Sequence, residues 1–476
     1  MRQQKIEVAR LGDKLAWCFQ HLVPQRVKPP TAGEHSTPKA PEEIRNLSNL
    51  HKRMQNDAGD AWFPARERWL EDVRSGRCSK EILGMIVDVY PELTVELLME
   101  PDFDAFCGRS SHLVEARDKF VGLGRHFLAH REELAAFSKS LYAKEDSEPD
   151  WPLLAKAGWR LRTPIPLDET SRIDKFRPAI ACPASLPLPG LNARYGQIRK
   201  MLSPKAKQPF NGECYRLIDV QVSGGDEPIF NYGPCKYFDY YDSCEIHALK
   251  IASLARDGAS ILEIKPFDLA GHAAVPGINT LTVLLNFKPY GFSAGNWFLL
   301  HRRSGATVQA GNTIHVVPAG QHQPSHAYYG LDADVSIWRT MVREFCEEIY
   351  NLKEAHGLNT AAGDPLDSVK FRPIVEPIFR SGASRVFLLG VGLDPVTSKP
   401  EILLVNIVDF SKVPVDQRQR LQVLTPNWEG KFEPHQLQKK QIETQLLLTR
   451  SNDLKWLPAG KACVMQFLEH YDDLLP

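Results

Sequence analysis

Three glutamates, Glu344, Glu347 and Glu348, lie close together in the segment 336–352. Apolar residues recur through this segment at helical spacing, which predicts an amphipathic helix with the three carboxylates on a second face. Like charges at these spacings repel one another by roughly a few tenths of a kcal/mol per pair. A hard divalent cation such as Mg²⁺ binds oxygen ligands and would offset that repulsion. The pattern alone leaves two interpretations open, namely a metal site and a solvated acidic face.

The residues around these glutamates resemble the signature of the Nudix hydrolase family. The sequence R-E-F-C-E-E at 343–348 is similar to the second half of that signature, which lies on the catalytic helix. Upstream, NWFLLHRR and NTIHVVPAG resemble the strand, turn and strand that lead into this helix. The resemblance extends over 285–430 and departs from the family at the start of the signature, where Tyr329 and Val335 replace a glycine and a glutamate. The longer pattern is similar to Nudix-type domains of bacterial multidomain proteins.

The resemblance implies an α/β/α sandwich and a Mg²⁺- or Mn²⁺-dependent hydrolase. Its substrate would be a nucleotide-type small molecule, in which water attacks a diphosphate linked to a nucleoside or similar group. Glu344, Glu347 and Glu348 would bind the metal ion. Arg343 would orient the carboxylates, so that Arg343, Glu344 and Glu347 form the expected catalytic set.

The resemblance also implies roles for the strand before the helix. Backbone groups around 318–320 would line the cation site, and Gly320 and His322 are the expected substrate contacts. A general base is often recruited from a later loop in this family. The candidates here are Glu376, Asp394 and Glu401, and the sequence does not choose among them.

Two other functions remain open on the sequence. The altered start of the signature is compatible with a catalytically weak Nudix-fold sensor that binds a nucleotide and signals through N-terminal helices. The segment 66–86 reads as helix, turn and helix, which is also the pattern of a DNA-binding helix-turn-helix. Acidic residues are interleaved with its arginines, so a generic helical hairpin is favoured there and DNA is a less favoured partner.

The elements that must position these residues follow from composition along the chain. We expect an N-terminal helix at 1–22, a proline-rich linker at 23–43, a helical domain at 44–150 and a proline-rich bridging segment at 151–210. From 211 to 476 short β-rich segments alternate with helical patterns, which predicts an α/β domain. The expected strands lie at 214–222, 278–287, 296–303, 312–320, 384–393 and 401–410.

Overall composition limits the class of protein. The chain has 476 residues, and 58 basic side chains balance 58 acidic ones, so its net charge gives no general attraction to nucleic acid or anionic membranes. The nine cysteines never form a C-x-x-C pair, which argues against a disulfide framework or a zinc knuckle. Neither an apolar leader nor a long apolar segment is present in the sequence. We therefore expect a cytoplasmic protein that does not bind membranes and that contacts protein partners, if any, through its N-terminal helices.

Overall fold

The computed structural model describes residues 103–184, 211–222, 227–258, 265–303, 313–325, 331–352, 364–422, 430–448 and 455–476, together with short stretches before residue 103 and around 188–196. The chain divides into two compact units. The first comprises residues 1–123 and 186–202, and the second comprises 124–185 and 203–476. Of the predicted N-terminal segments, the linker at 23–43 and most of the helix-turn-helix at 66–86 lie outside the described residues.

The first unit contains a small antiparallel pair of strands that the sequence does not predict. Strand β1 (Lys5–Glu7) pairs with β2 (Arg77–Ser79), and Ile6 lies opposite Cys78. Local sequence pattern predicts helix at both segments, the first within the N-terminal helix and the second within the helix-turn-helix. Backbone pairing between segments far apart in sequence outweighs the local helical preference at both places, because propensity is a weak determinant next to tertiary contacts.

The second unit is built on a nine-stranded mixed sheet. Its strands are β3 (Arg160–Leu167), β7 (Gly277–Phe287), β8 (Gly295–Arg303), β9 (Thr313–Val316), β10 (Ala319–Gln321), β11 (Ser384–Leu393), β12 (Pro400–Asp409), β13 (Gly430–Gln436) and β14 (Lys455–Trp456). The main order is β14-β9-β8-β7-β12-β11-β3, while β10 pairs with β7 and β13 pairs with β8. A separate three-stranded sheet has the order β4 (Asp174–Phe176), β6 (Ile229–Lys236), β5 (Glu213–Gln221).

Helices connect and cover these strands. The α-helices are α1 (Phe103–Ala129), α2 (Arg131–Leu141), α3 (Tyr237–Tyr240), α4 (Ile246–Asp257), α5 (Leu331–Asp334), α6 (Ile337–Glu344), α7 (Arg372–Val375), α8 (Val415–Gln422), α9 (Lys439–Leu448), α10 (Pro458–Glu469) and α11 (Tyr471–Leu474). Wider π-helical turns continue α3 through Tyr241–Glu245, α6 through Phe345–Ile349 and α7 through Glu376–Arg380. Mixed α and β structure from 211 onward confirms the predicted α/β class.

The expected strands agree well with the observed ones, because their apolar side chains form the core. Val283, Leu299, Leu388 and Leu404 are fully buried in one continuous cluster with the apolar face of α6. Strands β7 and β12 run parallel along nine residue pairs, and buried residues dominate both. Such nearly continuous apolar segments are typical of strands that are covered on both faces.

The proline-rich stretch 151–210 is expected to contain few regular elements, and its described residues include two strands. Strand β3 forms one end of the main order by pairing with β11, and β4 pairs in parallel with β6. Two prolines, Pro164 and Pro166, lie within β3. They are tolerated because an edge strand can leave one row of backbone groups unpaired.

Among the residues that the structure describes, no helix is both long enough and apolar enough to cross a membrane.

Candidate functional site

Helix α6 carries the three glutamates, and its start is fixed by a side-chain cap. The Ser336 hydroxyl accepts a hydrogen bond from the Arg339 backbone N–H at 3.3 Å, and Asp174 accepts one from the Ile337 N–H at 2.9 Å. These bonds satisfy two of the N–H groups that a helix leaves without intrahelical partners. The predicted apolar face of the helix is buried, with Met341 and Phe345 fully enclosed. The helix is therefore held at a fixed rotation, which directs Glu344 and Glu348 toward strand β10.

Glu344 packs directly against Gly320. A Cβ atom placed on Gly320 would lie 2.2 Å from the Glu344 carboxyl carbon and 2.4 Å from each of its oxygens. Real Cβ atoms essentially never approach a neighbour within 3.0 Å, so this position accepts only glycine while the carboxylate stays where it is. The approach of the Glu344 carboxylate to the strand thus explains why residue 320 is glycine.

Arg343 fixes the same carboxylate from the other side. Its Nη2 donates to Glu344 Oε1 at 2.8 Å, and its Nη1 donates to the Gln323 carbonyl at 3.2 Å. Burial opposes the charged form of Arg343, but Glu344 and Glu347 outweigh that effect and raise the pKa of the guanidinium above its ordinary value. The arginine therefore remains a cation in the interior, where it orients Glu344.

Glu348 reaches the same strand at the preceding residue. Its Oε2 accepts a hydrogen bond from the Ala319 backbone N–H at 3.2 Å, and the residue is 8% exposed. Glu347 is less buried than either neighbour. Two of the three predicted metal ligands, Glu344 and Glu348, thus lie against the strand Ala319–Gln321.

Carboxylate oxygens are the ligand type that Mg²⁺ and Mn²⁺ prefer, so the donor chemistry of Glu344, Glu347 and Glu348 fits such an ion. Across the described parts of the chain, however, no three His, Cys, Asp or Glu side chains are grouped closely enough to form a metal site. The three glutamates match such an ion in residue type, and Glu344 lies beside Gly320.

His322 is placed in the interior of the protein. Its ring lies 4.8 Å from the ring of Tyr215 and 4.9 Å from that of Tyr232, and its Nδ1 is 2.8 Å from the Thr340 hydroxyl. Burial, assisted by nearby Arg343, lowers the pKa of His322 to about 3, so the ring is neutral. His322 therefore contacts helix α6 through the Thr340 hydroxyl. Gly320, the other expected substrate contact, borders a cavity.

That cavity has a volume of about 290 Å³ and lies within the second unit. Its wall includes Gly320 and Gln321 of β10, Asn279 of β7 and the start of α10. Charged side chains of both signs line it, with three cations and three carboxylates: Arg131, Arg303, Lys399, Glu245, Asp394 and Glu401. Strand β10 therefore borders a polar cavity in addition to contacting Glu344 and Glu348.

The three candidates for a general base differ sharply in their surroundings. Glu376 is exposed on the protein surface and accepts a hydrogen bond from Arg380 at 2.9 Å. Asp394 lines the cavity and is bound to Arg131 at 2.6 Å. Burial would raise the pKa of Asp394, but Arg131 outweighs it and holds the pKa below its ordinary value. An ion-paired carboxylate of this kind is a weak base.

Glu401 differs from Asp394 in its contacts and in the direction of its pKa shift. It lines the cavity and accepts a hydrogen bond from the Asn279 amide at 2.8 Å, and Lys399 Nζ lies 3.4 Å from its other oxygen. Burial raises its pKa above the ordinary value, although Lys399 and Asn279 act in the opposite direction. Asn279 and Lys399 were missed at the sequence level. The one available signal was a polar asparagine in the otherwise apolar start of β7.

Strand register separates the surface that holds Glu344 from the surface that holds Glu401. Gly320 pairs with Ile278, whereas the next residues, Gln321 and Gly277, pair with each other. Successive residues of a strand direct their side chains to opposite faces. A Cβ on Gly320 would meet Glu344, and one on Gly277 would meet Glu401 at 2.2 Å. The two carboxylates thus approach the paired strands β7 and β10 from opposite faces, with Gly320 at the boundary.

Comparison with known proteins adds no further assignment. No protein-family model matches the chain, and the search of curated proteins found no match. The functional interpretation therefore depends on the site itself and on the resemblance of the segment around 343–348.

Proposed function

We propose that the second unit is a Nudix-type α/β/α sandwich and that the protein is a hydrolase of a nucleoside-diphosphate-linked compound, dependent on Mg²⁺ or Mn²⁺. The proposal rests on one observation above all, the packing of the Glu344 carboxylate against Gly320. With the carboxylate in this position, a side chain at residue 320 would collide with it. The bond from Arg343 and the contact between Glu348 and Ala319 support the same arrangement.

The chemistry assigned to each group follows from its position. A divalent ion held by Glu344, Glu347 and Glu348 would neutralise charge that develops on the diphosphate and would lower the pKa of an attacking water. Arg343 orients the Glu344 carboxylate through its 2.8 Å bond. Glu401 approaches β7 and β10 from the face opposite Glu344, so the proton of the attacking water is not assigned to it.

The test is a screen of nucleotide sugars, dinucleotides and ADP-ribose for cleavage in the presence of Mg²⁺ or Mn²⁺. Once a substrate is found, Glu347→Gln is compared with Glu376→Gln. Glu347 is the least buried of the trio, so its replacement should leave folding intact and abolish turnover. Glu376 is exposed and bound to Arg380, so its replacement should leave turnover unchanged. Full activity of the Glu347 variant would remove the assignment.

A second function is favoured by the residue at the missing glutamate position. Val335 is partly buried and packs on the hydrophobic core, so a carboxylate of the family signature is replaced there by an apolar contact. This favours a catalytically weak protein that binds a nucleotide and acts as a sensor. Calorimetric binding of a nucleotide without product release would support the sensor, and rapid turnover of the same compound would exclude it.

A further inference from the structure

The cavity beside strand β10 is small and strongly charged. Its volume of about 290 Å³ falls just below the range of pockets that hold drug-sized ligands, which is about 300–1,000 Å³, so it suits a smaller molecule. Two ion pairs belong to its wall, Arg131 with Asp394 at 2.6 Å and Lys399 with Glu401 at 3.4 Å. The chemistry of the ligand can be derived from these four side chains and the residues beside them.

The turn that joins β11 to β12 fixes the positions of Asp394 and Lys399. The Asp394 N–H donates to the Lys399 carbonyl at 2.8 Å. The Asp394 carboxylate accepts hydrogen bonds from the backbone N–H of Val396 at 3.1 Å and of Thr397 at 2.9 Å, and Arg131 of α2 binds the same carboxylate. These charged groups are therefore held in place before a ligand arrives, which reduces the entropic cost of binding.

The second ion pair lies over Gly277. A Cβ atom placed on this glycine would lie within 3.0 Å of both Glu401 Oε2 and Lys399 Nζ, so the two charged ends occupy the space of the absent side chain. Asn279 is two residues farther along β7, which places its side chain on the same face of the strand. There it donates to Glu401 at 2.8 Å. Lys399, Glu401 and Asn279 thus line the cavity from the face of β7 opposite Glu344.

These side chains use only part of their hydrogen-bonding capacity within the described chain. The Lys399 ammonium has three N–H donors and makes one polar contact there, the 3.4 Å approach to Glu401. Arg131 has five N–H donors and gives one of them to Asp394. Both hydrogen bonds of the Asn279 amide use its nitrogen, which leaves its oxygen as an acceptor. The wall can therefore offer donors and acceptors to a ligand at the same time.

The charges of the wall sum to zero, because three cations face three carboxylates. The side chains of the two ion pairs are 3% to 23% exposed. A ligand with a single charge would leave one charge uncompensated among these largely buried groups, which is unfavourable. A zwitterion keeps the sum at zero, since its carboxylate contacts a cation of the wall while its ammonium contacts a carboxylate.

Aromatic side chains form another part of the wall. Phe127 of α1 and Tyr240 of α3 line the cavity, and each residue is 3% exposed. Aromatic rings provide an apolar surface against which a ligand can bury its hydrocarbon part. A small zwitterion with an uncharged side chain matches both the charged and the aromatic parts of this wall.

We propose that the cavity is a binding site for a free α-amino acid with an uncharged side chain. Lys399 and Arg131 bind its carboxylate, and Glu401 and the Asn279 oxygen bind its ammonium group. The site is separate from the three glutamates of α6, and it does not depend on the protein being a hydrolase.

The experiment is a calorimetric titration of the full chain with each standard L-amino acid whose side chain is uncharged. EDTA is present, so that no divalent ion bound at the α6 glutamates can attract the ligand. We expect saturable binding of at least one amino acid. Two analogues of that amino acid, the acid without its amino group and the amine without its carboxyl group, should each bind the wild-type chain at least about tenfold more weakly.

Substitutions test the same contacts from the side of the protein. Lys399→Gln removes the ammonium group of the wall and should weaken binding about tenfold. Lys439→Gln is the matched control, because its side chain is 48% exposed and lies outside the cavity wall, and it should change affinity less than about twofold. Loss of one member of a largely buried pair can prevent folding. The double variant Lys399→Gln with Glu401→Gln leaves no charge uncompensated and should weaken binding about a hundredfold.

The outcomes separate this proposal from the hydrolase. Saturable binding of an amino acid that Lys399→Gln weakens, and that Lys439→Gln and Glu347→Gln leave unchanged, supports the site. The proposal is overturned if no amino acid binds the wild-type chain, if either analogue binds as tightly as the amino acid, or if the double variant retains full affinity. Equal effects at positions 399 and 439 also count against it, as does binding of a neutral sugar such as glucose where no amino acid binds. Loss of turnover in Glu347→Gln concerns the hydrolase alone.

Discussion

Replacement of Gly320 by alanine tests the contact on which the proposed hydrolase depends. The added methyl group would lie 2.2 Å from the Glu344 carboxyl carbon, whereas ordinary van der Waals contact begins at 3.4 Å. The carboxylate must therefore move by about 1 Å or the strand must shift. Movement of Glu344 strains its buried bond to Arg343, and complete loss of one partner from such a pair costs about 3–5 kcal/mol. Because the atoms met are the far end of a flexible side chain and Arg343 can follow in part, we expect Gly320→Ala to lower the free energy of unfolding by only about 1–2 kcal/mol.

Two measurements check this prediction. Urea denaturation gives the free energy of unfolding without reference to activity, and turnover of a substrate found in the screen gives the effect on the site. A displacement of about 1 Å at a catalytic group reduces turnover about a hundredfold. Gly122→Ala, within helix α1, is the control, because a Cβ there has no neighbour within 4 Å. If Gly320→Ala is as stable and as active as the control, Glu344 does not occupy the position described here.

Two other substitutions test the chemistry and the electrostatics of the same region. Glu401→Gln should leave turnover within about twofold of the wild-type value, because Glu401 approaches β7 and β10 from the face opposite Glu344; a loss of about 10²–10⁴-fold, the effect of removing a general base, would contradict that separation. Burial raises the pKa of Asp174 to about 7 from an ordinary value of 3.8, although the Ile337 N–H opposes this. Between about pH 4 and about pH 7 the unfolded state therefore holds fewer protons on this group than the folded state. The free energy of unfolding of the wild-type protein should decrease as the pH rises through that interval. Asp174→Asn should abolish this decrease, which amounts to at most about 4 kcal/mol. The prediction is contradicted if urea denaturation gives the same pH dependence of the free energy of unfolding for both proteins from about pH 5 to about pH 8.

Local pattern was sufficient to predict the strands and helices that carry the site. The apolar segment 278–287 forms β7 (Gly277–Phe287), and the apolar segment 401–410 forms β12 (Pro400–Asp409). The helix expected over 336–352 forms as α6 and its π-helical extension, ending at Ile349. Burial explains this success, because each segment has enough apolar side chains at one spacing to specify its own conformation.

Elements that depend on distant partners were not predicted. Strand β3 comes from a proline-rich stretch whose composition favours irregular structure, yet its pairing with β11 joins residues more than two hundred positions apart. Strand β1 pairs with β2 about seventy positions away. In both cases the stabilising hydrogen bonds come from another segment, so the local sequence contains no pattern that specifies them.

The candidate site likewise has one part that local sequence pattern predicts and one part that depends on residues distant in the chain. Arg343, Glu344 and Glu348 are close in sequence, so one helical period predicts that they share a surface. The cavity wall instead joins Arg131 to Asp394 across 263 positions and Asn279 to Glu401 across 122. Spacing cannot predict such pairs, because they exist only once the sheet has formed. Burial, which raises the pKa of Glu401, also comes from the fold, and this is why the sequence could not distinguish the surroundings of the three candidate bases.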